Sequence, residues 1–221
     1  MGEQKFGIEH LACKQIAQSI KEVYVLGVQI GIVVGGGNIF RGNQAEAFGF
    51  ARTPADHIGM LATTINGLVL QQTLASLGVE GRVMSALNTD AIVEPYHWAR
   101  ALHCLQKGII VIFVGGTGNP YFTTDSAAAL RASEIQAEVL LKATKVDGIF
   151  SEDPKINPKA EKYERMTYSE VLAKKLNVMD ATAIALCREN QIPICVFNLF
   201  EQGAMLKAVC GQQKGSLVMG G

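Results

Sequence analysis

Two glycine-rich turns carry the residues with the clearest chemical potential. The first, Gly35-Gly36-Gly37-Asn38, follows a short apolar run and precedes Arg41. Without β-carbons, glycines let a backbone curl and present N–H groups to an anion at close range. Arg41 adds a planar, permanently charged fork for phosphate oxygens. The second, Gly115-Gly116-Thr117-Gly118-Asn119-Pro120-Tyr121-Phe122-Thr123-Thr124-Asp125, also follows an apolar run and leads into a helical pattern. Thr123, Thr124 and Asp125 are good helix N-cap residues, and a helix N-terminus with free N–H groups also holds phosphate. A carboxylate suits direct anion binding poorly, so Asp125 fits better as a group that steadies a metal-bound or lysine-bound phosphate. Either turn alone reads as a plain strand-to-helix connection, but the pair points to a phosphate site. Neither is a Walker A loop, because no Gly-Lys-Ser/Thr follows, and neither has G-x-G-x-x-G spacing.

Asp56 opens a long helical pattern, where it serves either as an N-cap or as an acceptor for ribose hydroxyls. Lys142, Thr144, Lys145, Asp147, Phe150 and Asp153 leave a strand end through a polar loop. Two lysines, a threonine and a carboxylate suit a nucleotide's phosphates and ribose, although loop lysines are usually only solvated. His57 has no partner legible in the sequence. The five cysteines, at 13, 104, 187, 195 and 210, include no C-x-x-C pair. That pattern predicts reduced, packed thiols, with neither a disulfide framework nor a zinc site. No G-x-S-x-G elbow supports nucleophilic hydrolysis.

These residues need elements to position them, and the chain alternates between two periodicities. Helical spacing runs from about Ile8 to Leu26, from Pro54–Asp56 to Leu77, from Pro95 to Gln106 and from Thr124 to Gln136. Further helices are expected near 168–175, 180–190 and 204–209. Short apolar runs at 28–34, 81–87, 109–114, 139–143, 193–198 and 216–219 read as strands, the first and third of them buried and parallel. Residues 147–167 are a polar stretch with two prolines. The alternation predicts an α/β sandwich with a mostly parallel sheet, and such sheets bind ligands beyond the carboxyl ends of their strands. The loops after Val34, Val114 and Ala143 are therefore the expected site.

Of the 221 residues, 48% are hydrophobic and 18% charged, enough for a large core and against disorder. Lys plus Arg equals Asp plus Glu at 20 each, with no basic run, which argues against a nucleic-acid partner but not against a nucleotide. The polar start carries no signal peptide and no apolar stretch exceeds strand length, so a cytoplasmic protein with no membrane partner is expected.

With these loops in view, the chain resembles the bacterial UMP kinase family of the amino-acid-kinase fold. The stretches that carry the resemblance are GGGNIFRG (Gly35–Gly42), ADHIGMLATTIN (Ala55–Asn66), GTGNPYFTTD (Gly116–Asp125), LKATKVDGIFSED (Leu141–Asp153) and VMDA (Val178–Ala181). The resemblance implies one amino-acid-kinase domain over 1–221, a three-layer αβα sandwich. It implies transfer of phosphate from ATP to UMP, with Mg²⁺ accompanying ATP, in pyrimidine nucleotide biosynthesis. Gly36, Asp56, Thr117, Gly118, Asn119, Pro120, Tyr121, Phe122, Thr123 and Thr124 would bind UMP, with Asp56 on the ribose. Gly37, Arg41, Thr144, Phe150 and Asp153 would bind ATP. Arg41, Asp125 and Asp180 would act in catalysis. The family's chains are homohexamers activated by GTP and inhibited by UTP, and Gly2, Glu3, Gln4, Lys5, Phe6 and Gly7 match the loop linked to GTP activation.

The sequence departs from the family at its start. Family chains open with a strand ending in a Lys-Leu-Ser-Gly-Glu turn that cradles the ATP phosphates, and none precedes Gly2 here. The expectation is an N-terminally shortened chain, lacking the first strand and one cation. Two alternatives stay open on sequence alone. One is a non-catalytic nucleotide-binding form; the other is a family member that phosphorylates a carboxylate or carbamate.

Overall fold

A computed structural model describes residues 7–41, 47–154, 156–176, 178–212 and 215–220. Helices and strands alternate along the chain and divide between two compact units, Met1–Arg131 and Ala132–Gly221. Among the described residues five of the seven strand pairings are parallel, so the expected α/β class with mostly parallel sheets holds.

The first unit contains α1 (His10–Tyr24), β1 (Gly31–Val33), α2 (Arg52–Ser76), β2 (Gly81–Ser85), β3 (Glu94–Pro95), α3 (Trp98–Gln106), β4 (Ile110–Val114) and all but the last three residues of α4 (Thr124–Glu134). Its sheet order is β1-β4-β2-β3, every pairing parallel. All five β4 residues are buried, which is why that strand reads as an unbroken apolar run. α2 lies against β2 and β4, where its Gly67 approaches so closely that a β-carbon would stand 2.4 Å from Val114 Cγ1. Leu74 and Met84, both fully buried, add to this core.

Three expectations need correction here. The strand expected over 28–34 is only Gly31–Val33 and is partly exposed, because it pairs with β4 alone at the margin of the described sheet. The helix expected from Pro95 starts at Trp98, because Glu94 and Pro95 pair with Met84 and Ser85 as β3. α2 begins at Arg52 with Ala51 as its N-cap, so Asp56 is one turn inside the helix and does not cap it.

The second unit contains β5 (Leu140–Thr144), β6 (Ile149–Phe150), β7 (Lys162–Tyr163), β8 (Arg165–Thr167), α5 (Tyr168–Ala173), α6 (Ala181–Glu189), β9 (Ile194–Asn198), α7 (Ala204–Val209) and β10 (Ser216–Met219). Its main sheet, β5-β9-β10-β8, is parallel except between β9 and β10. β6 and β7 form a separate antiparallel pair. The stretch 147–167 thus contains three short strands where only a polar loop was legible. Two or three residues are too few to display a period. A capping box between Thr167 and Glu170 starts α5, its backbone N–H holding the Glu170 carboxyl below the ordinary range.

Candidate active site

In the first unit, one helix fastens both glycine-rich turns. Asp56, Gly59, Thr63 and Asn66 recur at helical spacing along α2 and share one face. Gly36 lies against this face so tightly that a β-carbon would meet Gly59 O at 2.4 Å and Ala62 Cβ at 2.9 Å. Asn66 Nδ2 donates to Gly35 O at 2.7 Å and pairs reciprocally with the Asn38 amide, at 2.6 and 3.1 Å. Thr63 Oγ1 accepts the Gly115 N–H at 2.7 Å while donating to Met60 O. Asp56 Oδ2 accepts the Tyr121 N–H at 2.8 Å and Arg52 Nε at 3.0 Å. Tyr121 has φ 72, a conformation costly for an aromatic residue, and this bond helps to hold it there.

The turns are also tied internally. Gly36 O accepts the N–H groups of Ile39 and Phe40, and Arg41 Nε donates to Gly37 O at 2.6 Å. In the second turn Gly118 N–H returns to Gly115 O, and Gly115, Gly116 and Gly118 all have positive φ. Arg131 is 4% exposed; its Nη2 donates to Gly116 O at 3.3 Å and its guanidinium lies 3.9 Å over the Tyr96 ring. Thr123 caps α4, its Oγ1 accepting the Asp125 and Ser126 N–H groups, and Asp125 occupies the first turn. Tyr121 and Phe122 remain exposed, leaving the outer side of the loop open. Gly36, Gly37, Arg41, Asp56, Thr117–Thr124 and Asp125 therefore all lie on α2, the two turns it fastens, or the start of α4.

The remaining expected residues belong to the second unit. Thr144, Phe150 and Asp153 line one cavity of about 340 Å³, with Gly148, Lys174 and Val178 among its other walls. The Thr144 hydroxyl bonds both ends of Val146 and so shapes the turn that leaves β5. Ser216, fully buried, accepts the Ile149 N–H at 2.7 Å and donates to Tyr163 O, joining β10 to the β6–β7 pair. A β-carbon on Gly148 would collide with that hydroxyl. Asp180 caps α6, its Oδ1 accepting the Ala183 N–H at 2.9 Å, and it is not among the cavity's walls.

The large titration changes fall in the core of the second unit. Burial pushes the Cys187 thiol up to about 11, and burial followed by Cys187 pushes Tyr168 up to about 12. Tyr168 keeps its proton on a 2.6 Å bond to Ile192 O. Of the stretch expected to form an effector loop, Gly2, Glu3, Gln4, Lys5 and Phe6 lie outside the described residues, and Gly7 donates its N–H to Asn38 O at 2.7 Å.

Thr63, Asn66, Arg131 and Ser216 escaped the sequence reading. The signal for the first two was present as a polar and small stripe at helical spacing inside an otherwise apolar helix. Arg131 and Ser216 left no comparable trace, because their importance comes from burial.

Known proteins resemble this arrangement closely. The model of the amino acid kinase family matches residues 3–198. A uridylate kinase of Protochlamydia amoebophila is 63% identical over 199 residues, covering 90% of this chain and 79% of that protein. The solved UMP kinase of Bacillus anthracis superposes with a TM-score of 0.96 at 40% identity, over 99% of this chain and 90% of that one. The UMP kinase of Ureaplasma parvum gives 0.90 at 40% identity, over 96% and 90%.

Proposed function

The chain belongs to the amino acid kinase family, and from that premise we propose the following reading of its chemistry. It is a UMP kinase, a nucleoside monophosphate kinase that transfers the terminal phosphate of ATP to UMP. The observation that carries this is the extensive identity with uridylate kinase. Two pinned glycine turns and a nucleotide-sized cavity supply the matching physical parts.

In-line transfer between two anions needs positioning and charge neutralisation more than acid–base chemistry, because a UMP phosphate oxygen is already an ionised nucleophile. We assign the second turn, Gly36 and Asp56 to UMP. Tyr121 N–H and Arg52 Nε fill Asp56 Oδ2, and Oδ1, which Arg52 meets at 3.3 Å, keeps a lone pair for a ribose hydroxyl. Gly37 and Arg41 are assigned to the ATP phosphates, and Thr144, Phe150 and Asp153 to its nucleoside. Asp125 and Asp180 would orient cations and metal-bound phosphate. Mg²⁺ would arrive with ATP, its ligands chiefly phosphate oxygens and water with one or two carboxylates. Among the described residues no three His, Cys, Asp or Glu side chains cluster into a separate metal cage. When bound, the ion would neutralise charge on the transferred group.

Homohexamer assembly, GTP and UTP as effectors, a cytoplasmic location and a place in pyrimidine biosynthesis complete the reading. An exposed apolar stripe on α2, Ile58, Leu61 and Ile65, supports self-association. Among the described residues no helix is long and apolar enough to cross a membrane. The test is ADP release with ATP, Mg²⁺ and UMP, alongside CMP and carboxylate acceptors. UMP-dependent turnover is expected; turnover with a carboxylate and none with UMP would overturn the assignment.

A further inference from the structure

We propose that Asn66 is a positioning residue for phosphate transfer, acting by fixing the orientation of the Gly35–Gly36 peptide. The proposal rests on the UMP kinase reading. Asn66 spends one amide hydrogen on Gly35 O at 2.7 Å and the other on Asn38 Oδ1 at 2.6 Å. Asn38 returns a bond to Asn66 Oδ1 at 3.1 Å and places its other hydrogen on Gly7 O at 3.0 Å. Reciprocal amides are satisfied in one orientation only. Turning Asn66 over would set its oxygen against Gly35 O and Asn38 Oδ1. The pair therefore dictates that a donor faces Gly35.

Peptide planarity carries this outward. The chain has no cis peptide bond among the described residues, so the Gly36 N–H points opposite to the Gly35 carbonyl. Asn66 draws that carbonyl towards α2, which aims the Gly36 N–H away from it. Gly36 is buried, and among the described residues its N–H meets no acceptor. A backbone N–H left unpaired in a buried residue is rare, and at this position a phosphate oxygen would satisfy it. Asn66 thus acts through the backbone without touching the nucleotide.

The distinction from a merely structural role is kinetic. N66D keeps the shape and loses both donors; N38A leaves Asn66 able to donate but free to turn. Both are assayed with wild type at temperatures well below each melting point. N66D is expected to lower kcat/KM for UMP about 100-fold, the scale of one lost transition-state donor, with KM for ATP unchanged. N38A is expected to lower it about fivefold by the same route. Wild-type values for UMP in a folded N66D, whatever its melting point, overturn the proposal. Should N66D fail to fold, N38A decides alone: a UMP-selective loss supports the proposal and unchanged kinetics overturn it. UMP affinity by calorimetry reads the same contact without turnover. A wild type that binds UMP without turning it over sinks the function reading, and weaker binding by N66D still upholds the positioning role while equal binding overturns it. A wild type that neither turns over nor binds UMP overturns both.

Discussion

The first unit builds its candidate site from backbone, and the second builds its candidate site from side chains around a cavity. In the first, Gly35, Gly36, Gly115 and Tyr121 are each fastened to α2, so four points on two turns answer to one rigid element. In the second, Thr144, Phe150 and Asp153 line an open volume framed by two-residue strands and a serine bridge. The difference suits the tasks assigned to them. Phosphate transfer tolerates little displacement, about 1 Å costing about 100-fold, whereas a nucleoside base is held by area and a few polar contacts. Substitutions should therefore act steeply in the first unit and gradually in the second.

The steepest effect is expected from Gly36→Ala. Its methyl would lie 2.4 Å from Gly59 O, forcing the turn off α2. Activity should fall about 100-fold or more, with about 1–3 kcal/mol lost from stability by overpacking. Gly37→Ala, whose nearest neighbours would be Arg41 atoms at 3.8 and 3.9 Å, should fold like wild type. Equal tolerance of the two in thermal melts and steady-state assays would break the comparison. Asp56→Ala comes next. Losing a charge-assisted acceptor for Tyr121 N–H, worth about 1.5–3 kcal/mol, should raise KM for UMP roughly 10- to 100-fold and leave KM for ATP alone. In the second unit, Phe150→Ala should raise KM for ATP about tenfold through lost apolar contact, while calorimetry finds UMP binding intact. A UMP effect as large as the ATP effect would mean that the cavity has been misassigned.

The smallest effect concerns stability alone. The unfolded chain releases the Cys187 proton near its ordinary 9.0, whereas the folded chain keeps it to about 11. Unfolding therefore releases a proton in that window, and stability falls as pH rises through it. Cys187→Ala should flatten this alkaline limb in melts taken across the window; an unchanged slope would assign the limb to other groups, Tyr168 first among them.

Legibility followed the length of the pattern. β4 was visible because five buried residues in a row leave an apolar run, and α2 because 25 residues sustain a period. The short strands β3, β6, β7 and β8 were not, since pairing across the sheet creates them and nothing local announces it. Asp56 was singled out for its chemistry, yet its place inside α2 was missed because helix starts are weakly marked where no side chain caps them. Asn66 stood in a stretch already noticed, but its amide acquires meaning only opposite Asn38 and Gly35.

By itself the sequence determined the α/β class and the two glycine turns, because both rest on local rules: hydrophobic periodicity and the conformations open to glycine. It also carried the family, through long ordered stretches shared with relatives. Only the tertiary structure decided how those turns are held. A hydrogen bond from Asn66 to Gly35 spans 31 residues, and that from Asp56 to Tyr121 spans 65. No local pattern encodes such pairs; packing α2 onto the sheet creates them.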